Sequence, residues 1–342
     1  MTALRAVRGR DALVPENPAF FDGSFAPAKL QREPKVRAAS RPRLLASKRR
    51  RLATALLGLA LLAPLASAEV VHRERSLYQT ILVVKQGRIL CLQFSLRRAQ
   101  RNQSCLDERR SERMVLDYTR MMMAALLFGP APQRILVVGL GGGTLPMALT
   151  AIYPQAQLDA VEIDPAVVEV AKRHFGFAES ERLKVHVEDA RVFTRRAVAA
   201  GRSYDLIMLD AFGADYIPEH LMTREYLADT RALLTGNGAL AANTFAISQL
   251  YDHESATYFD VFGPFFNLKL PSSGNRVILA AKTQLPSLMT LNTRAAALDK
   301  SLAPYGIKIR SYPRRLKSEI DWAADTRVLT DQYAPANLLQ TQ

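Results

Sequence analysis

A glycine cluster and three acidic residues are the parts of this sequence that could do chemistry. The glycines lie in ILVVGLGGGTLPMAL (135–149), where an apolar run leads into the cluster and an apolar helical pattern follows. Glycine lets a backbone approach a ligand closely and point N–H groups at it, at a helix start that favours anions. The order strand, glycine loop, helix is the context that a nucleotide loop requires, although a tight strand-to-helix turn needs glycine in any case.

The three acids each follow an apolar run further along the chain. Glu162 ends its predicted strand within VEID (161–164), Asp189 ends HVED and Asp210 ends YDLIMLD. If these runs are parallel strands, their carboxyl ends meet at one edge of the sheet, which is the ligand crevice of such folds. A carboxylate at Glu162 can accept both hydroxyls of a ribose, and Asp189 or the N–H of Ala190 can face an adenine. A carboxylate at Asp210 can act as a general base or hold a cationic substrate by charge.

Alternating strands and helices are predicted to position these residues. The apolar runs RILVVGL, QLDAVEID, LKVHVED, YDLIMLDAF and ALAANTF alternate with helical patterns, which indicates a parallel sheet covered on both faces. Two later strands, FNLKLP and NRVILAAK, flank a turn at 272–275 and are expected to form an antiparallel edge. Before the sheet, residues 78–94 alternate around Gln86-Gly87 as a β-hairpin, and 97–113 are expected to be a polar loop. Residues 112–128 have helical spacing, with a methionine run that we interpret as core filling.

Composition divides the chain into four segments. We expect a disordered basic extension at 1–47, a signal peptide or membrane anchor at 48–68, a small β domain at 69–113 and the α/β domain at 114–342. The net charge is +14, but 13 Lys and Arg against 4 Asp and Glu fall within residues 1–51. Because the α/β domain is close to neutral, a nucleic-acid partner is not expected.

The segment SKRRRLATALLGLALLAPLASAEV has the order of a secretory signal. A basic cluster precedes an apolar run that ends in Ala66-Ser67-Ala68, an A-x-A cleavage site. The alternatives are an uncleaved anchor, since residues 52–68 are near the shortest length that spans a bilayer, and a buried helix. We therefore expect an exported, periplasmic protein or one anchored in the inner membrane, and a cytoplasmic one if the segment is not a signal. Cys91 and Cys105 could pair in an exported protein or stay as two buried thiols.

The combination of VVGLGGGTL, VEIDP and VEDAR resembles the adenosylmethionine-type site of the spermidine synthase (polyamine aminopropyltransferase) family, over roughly residues 76–245. A weaker echo lies in RVLTDQYAPANLL. The resemblance implies an α/β, Rossmann-like methyltransferase fold with a mostly parallel sheet, an antiparallel edge and a small β-hairpin domain before it. It implies Asp210 as the base that deprotonates the attacking amine. The donor-binding residues that it implies are Gln79, Gly139, Gly141, Gly142, Glu162, Asp189 and Ala190.

The chain departs from this family's pattern at two positions. Thr144 replaces a loop acid that is expected to hold the aminopropyl arm, and Gly213 stands where a second substrate-binding aspartate is expected. Asp215 could substitute for that aspartate. Tyr118 and Arg120 lie on the helix that is expected to cover the pocket, where Arg120 pairs with a substrate carboxylate or only stabilises the helix surface. These departures predict very weak or absent aminopropyl transfer to putrescine.

Three functions are compatible with this site. The first is a transferase that uses decarboxylated S-adenosylmethionine, with aminopropyl transfer to an amine as the family's default. The second is methyl transfer from S-adenosylmethionine to an unknown acceptor, and the third is an exported nucleoside-binding scaffold without activity. No metal is expected, because the histidines lack ligand spacing. The expected partner is a small-molecule amine or an unknown acceptor, with membrane contact only through 52–68 and a homodimer left open.

Overall fold

The computed structural model of the chain describes residues 68–96, 99–212 and 217–334. All of them belong to Pro64–Gln342, the second of two compact units. The predicted basic extension, and the signal or anchor segment up to residue 67, lie outside the described residues. Within the described ranges, no helix combines the length and the apolar character needed to span a bilayer.

A seven-stranded sheet forms the centre of this unit. Its strands are β5 (Arg134–Val138), β6 (Gln157–Glu162), β7 (Leu183–Val187), β8 (Tyr204–Leu209), β9 (Leu234–Phe245), β10 (Phe266–Lys269) and β11 (Asn275–Ala281). The five strands β5 to β9 are parallel, while β11 pairs antiparallel with both β9 and β10. The predicted mostly parallel sheet with an antiparallel edge is therefore confirmed. Across the sheet the strands lie in the order β10-β11-β9-β8-β5-β6-β7.

Helices cover both faces of this sheet. In β5, Ile135 and Val137 pack into one hydrophobic cluster, and Leu136 and Val138 pack into another. Since successive side chains of a strand point to opposite faces, a continuous apolar run is what a strand buried on both faces requires. The helices are α1 (Asp117–Met122), α2 (Thr144–Ile152), α3 (Pro165–Phe175), α4 (Ala190–Ala199), α5 (Arg224–Ala232), α6 (Tyr251–Phe262) and α7 (Leu288–Leu302).

The helix predicted for 112–128 is shorter than expected. The α-helix α1 ends at Met122, and a 3₁₀ turn follows over Met123–Leu127. The methionines of the run are fully buried, as their interpretation as core filling predicted. The tight turn is compatible with the apolar run because every one of its side chains is buried, so tertiary packing outweighs local helical propensity.

The N-terminal β domain has four strands, not only the predicted hairpin. The antiparallel order is β1-β2-β3-β4, with β1 at Glu69–Arg75, β2 at Thr80–Gln86, β3 at Ile89–Leu96 and β4 at Ala99–Asp107. The predicted polar loop at 97–113 is therefore wrong for most of its length. The polar residues of β4 lack the apolar alternation that marks a strand, and pairing with β3 decides their conformation. Cys91 and Cys105 are register partners on β3 and β4 and form a disulfide.

Apolar side chains join this small sheet to the α/β layer. Residues of β2 and β3, among them Ile81 and Leu92, pack in one cluster with Val167 and Val170 of α3. At the edge of that contact the Ser76 hydroxyl donates to the buried Asp164 carboxylate, whose Oδ1 accepts the N–H of Ala166 at 3.0 Å as the N-cap of α3. The small sheet is therefore held against α3, the helix that follows β6.

A fully buried ion pair joins the edge of the large sheet to α6. Arg276 of β11 donates to Glu254 at 2.8 Å, and both side chains are almost completely excluded from solvent. The guanidinium also donates to Thr244 and Ser255 and lies 3.8 Å from the centroid of the Tyr251 ring. Burial raises the pKa of Glu254 to about 7, while the charge and hydrogen bond of Arg276 oppose the rise. Among the described residues, each of these two charged groups is the ion-pair partner of the other.

Replacing Arg276 by methionine should leave Glu254 as an uncompensated buried carboxyl group. We expect Arg276→Met to lower the free energy of unfolding by about 3–5 kcal/mol, measured by chemical denaturation. The matched control is Arg310→Met, since Arg310 forms an exposed pair with Asp299 at 4.0 Å and should cost less than about 1 kcal/mol. Equal stabilities for the two variants would contradict a special role for the buried pair.

Candidate active site

One large cavity opens at the carboxyl edge of the parallel sheet. It contains about 1160 Å³ of empty space, its open mouth included. Of the residues predicted from the sequence, seven line this cavity: Tyr118, Gly139, Gly141, Glu162, Asp189, Ala190 and Asp210. The strand-end positions therefore meet as expected.

The glycine loop is built around close backbone contacts. Gly139 has φ +96°, and a Cβ on it would lie only 2.2 Å from the carbonyl oxygen of Asp210. Gly143 has φ +78° and caps the N-terminus of α2. Any larger residue at position 139 would push β5 and β8 apart where the cavity begins. Gly142 does not line the cavity but permits the approach of the Ser104 hydroxyl, 2.8 Å from where its Cβ would be.

Glu162 is held between the glycine loop and the start of α3. One carboxylate oxygen accepts the N–H of Leu140 at 3.0 Å, and the other accepts the N–H of Asp164 at 3.1 Å. Burial raises the pKa of Glu162, and these backbone N–H groups oppose that rise. Since an ionised carboxylate has about four acceptor positions and the N–H of Ile163 also interacts with it, at least one position remains for a ribose hydroxyl. The glycine loop and the Glu162 carboxylate thus fit the nucleoside half of an adenosylmethionine-type donor.

Asp189 serves mainly as a helix cap. Its Oδ1 accepts the N–H groups of Arg191 and Val192, and its Oδ2 lies 2.8 Å from Nε2 of His220. Both oxygens are therefore engaged, which leaves the backbone N–H of Ala190 as the expected contact to an adenine. His220 carried no signal in the sequence, because its neighbours in space lie in a different part of the chain.

Asp210 lies at the centre of the cavity wall in a network of neutral donors. The Asn243 amide donates to its Oδ1 at 2.8 Å, and the Tyr118 hydroxyl also interacts with the carboxyl group. Burial raises the pKa of Asp210 to about 7, the hydrogen bond from Asn243 and the nearby Tyr118 hydroxyl oppose the rise, and the negative charge of Glu162 adds to it. A carboxyl group with this pKa is matched to proton transfer near neutral pH.

The strand β4 supplies a wall that sequence reasoning missed. A register shift lets Gln93 face Asn102 while Leu92 faces Ser104, so Gln103 is the extra residue of a β-bulge. The carbonyl of Gln103 accepts the Tyr118 hydroxyl at 2.7 Å, and Ser104 Oγ lies 3.0 Å from Thr144 Oγ1. Further lining residues are Arg101, Asn243, Phe245 and Asn275. No motif pointed to β4, because its polar residues were interpreted as a loop.

Besides Gly142, three predicted site residues are not placed in the cavity wall. Gln79 does not line it, and its backbone carbonyl accepts the N–H of Ser76 at 2.9 Å. Arg120 was expected to hold a substrate or to stabilise the helix surface. Its guanidinium donates to the carbonyls of Met114 and Val115 and pairs with Asp117, which are contacts of the second kind. Asp215 and Gly213 lie outside the described residues. Within those residues no cluster of three His, Cys, Asp or Glu side chains could hold a metal.

If Glu162 holds the ribose, its removal should weaken nucleoside binding. We expect Glu162→Ala to lower the affinity for methylthioadenosine at least tenfold in calorimetric titration, because a charge-assisted contact is worth about 1.5–3 kcal/mol. Glu169→Ala, on the exposed side of α3 and paired only with Lys172 at 3.7 Å, is the control and should bind normally. Unchanged affinity in folded Glu162→Ala protein would contradict this site.

Comparison with known proteins agrees with the geometry. Residues 116–264 match the spermine/spermidine synthase domain. A polyamine aminopropyltransferase of Vibrio vulnificus is 49% identical over 273 residues, which cover 79% of this chain and 91% of that protein. Human methyltransferase-like protein 13, solved in complex with SAH, has TM-score 0.52 and 27% identity, covering 64% of this chain and 99% of that one. A probable spermidine synthase from Corynebacterium glutamicum shares the fold with TM-score 0.56 and 19% identity, covering 76% of this chain and 99% of that one. The chain belongs to the spermidine synthase family.

Proposed function

We propose that the protein transfers an aminopropyl group from decarboxylated S-adenosylmethionine to the nitrogen of an amine. The observation that carries this proposal is Asp210, a buried carboxyl group with its pKa raised to about 7, in the wall of a cavity that begins at a glycine loop. The relative from Vibrio vulnificus, whose name states this activity, supports it. Family membership alone would not supply the base, so the position of Asp210 is the stronger support.

The reaction needs one proton acceptor and one good leaving group. The protonated amine gives a proton to the Asp210 carboxylate, and its nitrogen lone pair forms a bond to the carbon next to the sulfonium. The carbon–sulfur bond breaks and its electron pair returns to sulfur, so methylthioadenosine leaves as a neutral thioether. The proton on Asp210 then passes to water. Asn243 and Tyr118 keep the carboxyl group oriented toward the cavity throughout.

A second candidate is methyl transfer, and one contact favours it. Thr144 stands where the family has an acid for the aminopropyl ammonium, and its hydroxyl is paired with Ser104 at 3.0 Å. A hydroxyl pair does not require the decarboxylated arm. The two reactions give different nucleoside products: methylthioadenosine from aminopropyl transfer, and S-adenosylhomocysteine from methyl transfer. Nucleoside binding without either product would favour the scaffold hypothesis.

Removing the proposed base should abolish aminopropyl transfer. We expect Asp210→Asn to lower kcat by at least about 10²-fold, measured as methylthioadenosine release from decarboxylated S-adenosylmethionine with a panel of amines. In the wild type the rate should rise with pH through about 7, because only the ionised carboxylate accepts the proton. This acidic limb should be absent in any residual activity of Asp210→Asn.

The control for this variant is Asp260→Asn, since Asp260 is an exposed residue of α6 near Arg224 at 3.9 Å. It should keep both kcat and the pH profile. Undiminished turnover by folded Asp210→Asn protein would show that another group takes the proton. S-adenosylhomocysteine as the sole product would show instead that the second candidate is right.

We further propose that residues after 68 are exported from the cytoplasm. The basic cluster at 48–51, the apolar run that follows and the Ala66-Ser67-Ala68 site support this location. The disulfide between Cys91 and Cys105 also supports it, because disulfides persist in oxidising compartments.

Export can be measured with a reporter enzyme that is active only in the periplasm. Fused after Gln342, the reporter should be active, and deletion of residues 48–68 should abolish that activity. The matched control deletes residues 1–40 and keeps the basic cluster and apolar run. A reporter that is inactive in the full-length fusion, while a cytoplasmic reporter at the same position is active, would overturn the assignment.

A further inference from the structure

The far end of the cavity from the glycine loop carries a positive charge. Asn243 and Phe245 are two residues apart on β9 and therefore share one face of the sheet, roughly 7 Å apart along the strand. Asn243 donates to Asp210, and the guanidinium carbon of Arg101 lies 5.4 Å from the centroid of the Phe245 ring. Along β9 from Asp210, the proposed base, the cavity wall thus carries the cationic side chain of Arg101.

The surroundings of Arg101 favour an anionic ligand. Phe212 packs edge-on against Phe245 with ring centroids 5.3 Å apart, and the Asn275 amide donates to Asn243 at 2.9 Å. These side chains are aromatic or neutral amides, so they do not neutralise the guanidinium. Arg101 has no ion-pair partner in the described part of the chain. An arginine on an aromatic ring keeps its N–H fork available, and that fork matches a carboxylate.

The same arrangement disfavours a diamine. With one nitrogen at Asp210, the second ammonium of a four-carbon diamine would extend along β9 toward Arg101 and meet a like charge. Arg101 is an exposed residue, so the repulsion is that of a solvent-screened pair, and it still disfavours the diamine relative to a carboxylate. A carboxylate at the same distance from the reacting nitrogen would instead be attracted.

We propose that Arg101 is a specificity-determining residue that binds a carboxylate of a co-substrate. This inference rests on the proposed function and names the substrate class of the same site. The carboxylate has two sources with one chemistry: the tail of an acceptor such as an ω-amino acid, or the arm of a donor that has not been decarboxylated. The bonds made and broken at nitrogen, carbon and sulfur are the same in both cases, and the group transferred from the intact donor keeps its carboxylate.

The test measures binding first, so that it does not depend on turnover. Full-length protein saturated with methylthioadenosine is titrated with 4-aminobutyrate and with putrescine, which differ by a carboxylate against an ammonium. In a separate titration, protein without nucleoside receives S-adenosylmethionine or its decarboxylated form. The variants are Arg101→Glu, Arg101→Lys and the control Arg134→Glu, an exposed arginine at the opposite edge of the sheet.

In the wild type we expect at least one of two preferences: 4-aminobutyrate should bind tenfold or more tightly than putrescine, or S-adenosylmethionine tenfold or more tightly than its decarboxylated form. Arg101→Glu should reverse that preference, Arg101→Lys should keep its sign, and Arg134→Glu should not change it. If Arg101→Glu reverses the preference between 4-aminobutyrate and putrescine, Arg101 binds a carboxylate of the acceptor. If it reverses the preference between S-adenosylmethionine and its decarboxylated form, Arg101 binds the carboxylate of the donor arm. Tighter binding of putrescine and of the decarboxylated donor by the wild type would overturn the proposal, as would ratios that Arg101→Glu leaves unchanged.

Turnover with the same four compounds separates this inference from the proposed function. Methylthioadenosine release with the preferred pair should fall at least tenfold in kcat/KM in Arg101→Glu, with little change in kcat at saturation. If no pair gives methylthioadenosine, the proposed function fails, while the binding ratios still decide the role of Arg101.

Discussion

The site depends on the contact between Gly139 and the backbone of Asp210. These two residues follow adjacent parallel strands, and the missing side chain of Gly139 is what lets the strand ends come so close. The N–H of Asp210 also donates to the carbonyl of Val138 at 2.7 Å, so the proposed base and the nucleoside loop form one rigid edge. Glu162, which accepts the N–H of Leu140, extends the same edge by one strand. Donor binding and proton transfer therefore share a single backbone framework.

The small N-terminal sheet completes the cavity. Its bulge at Gln103 brings the carbonyl of that residue to the Tyr118 hydroxyl, which also interacts with Asp210. Ser104, next to the disulfide-bonded Cys105, reaches the glycine loop through Thr144. The bulge thus lets one polar strand contact both Tyr118 and the residue that follows the glycine loop. A regular strand would turn every second one of these side chains away.

Membership in the spermidine synthase family and the local chemistry of the cavity bear on different questions, namely the reaction class and the choice of amine. The fold is that of the family, whereas Thr144 and Arg101 are the residues on which the proposed choice of amine depends. The family therefore accounts for the reaction class, and the departures bear on which amine is used.

The sequence by itself determined the α/β fold, the glycine loop and the three strand-end acids, because these features depend on local patterns. Continuous apolar runs define buried strands, and the residue that follows a parallel strand must lie at the carboxyl edge. Only the tertiary structure decided the rest. The raised pKa of Asp210 follows from burial by segments distant in sequence, and Arg101 meets Phe245 across two different sheets. The pairing of β4 with β3, the disulfide and the structural role of Arg120 also depend on contacts that no local pattern encodes, since propensity gives way to packing where polar residues enter a sheet.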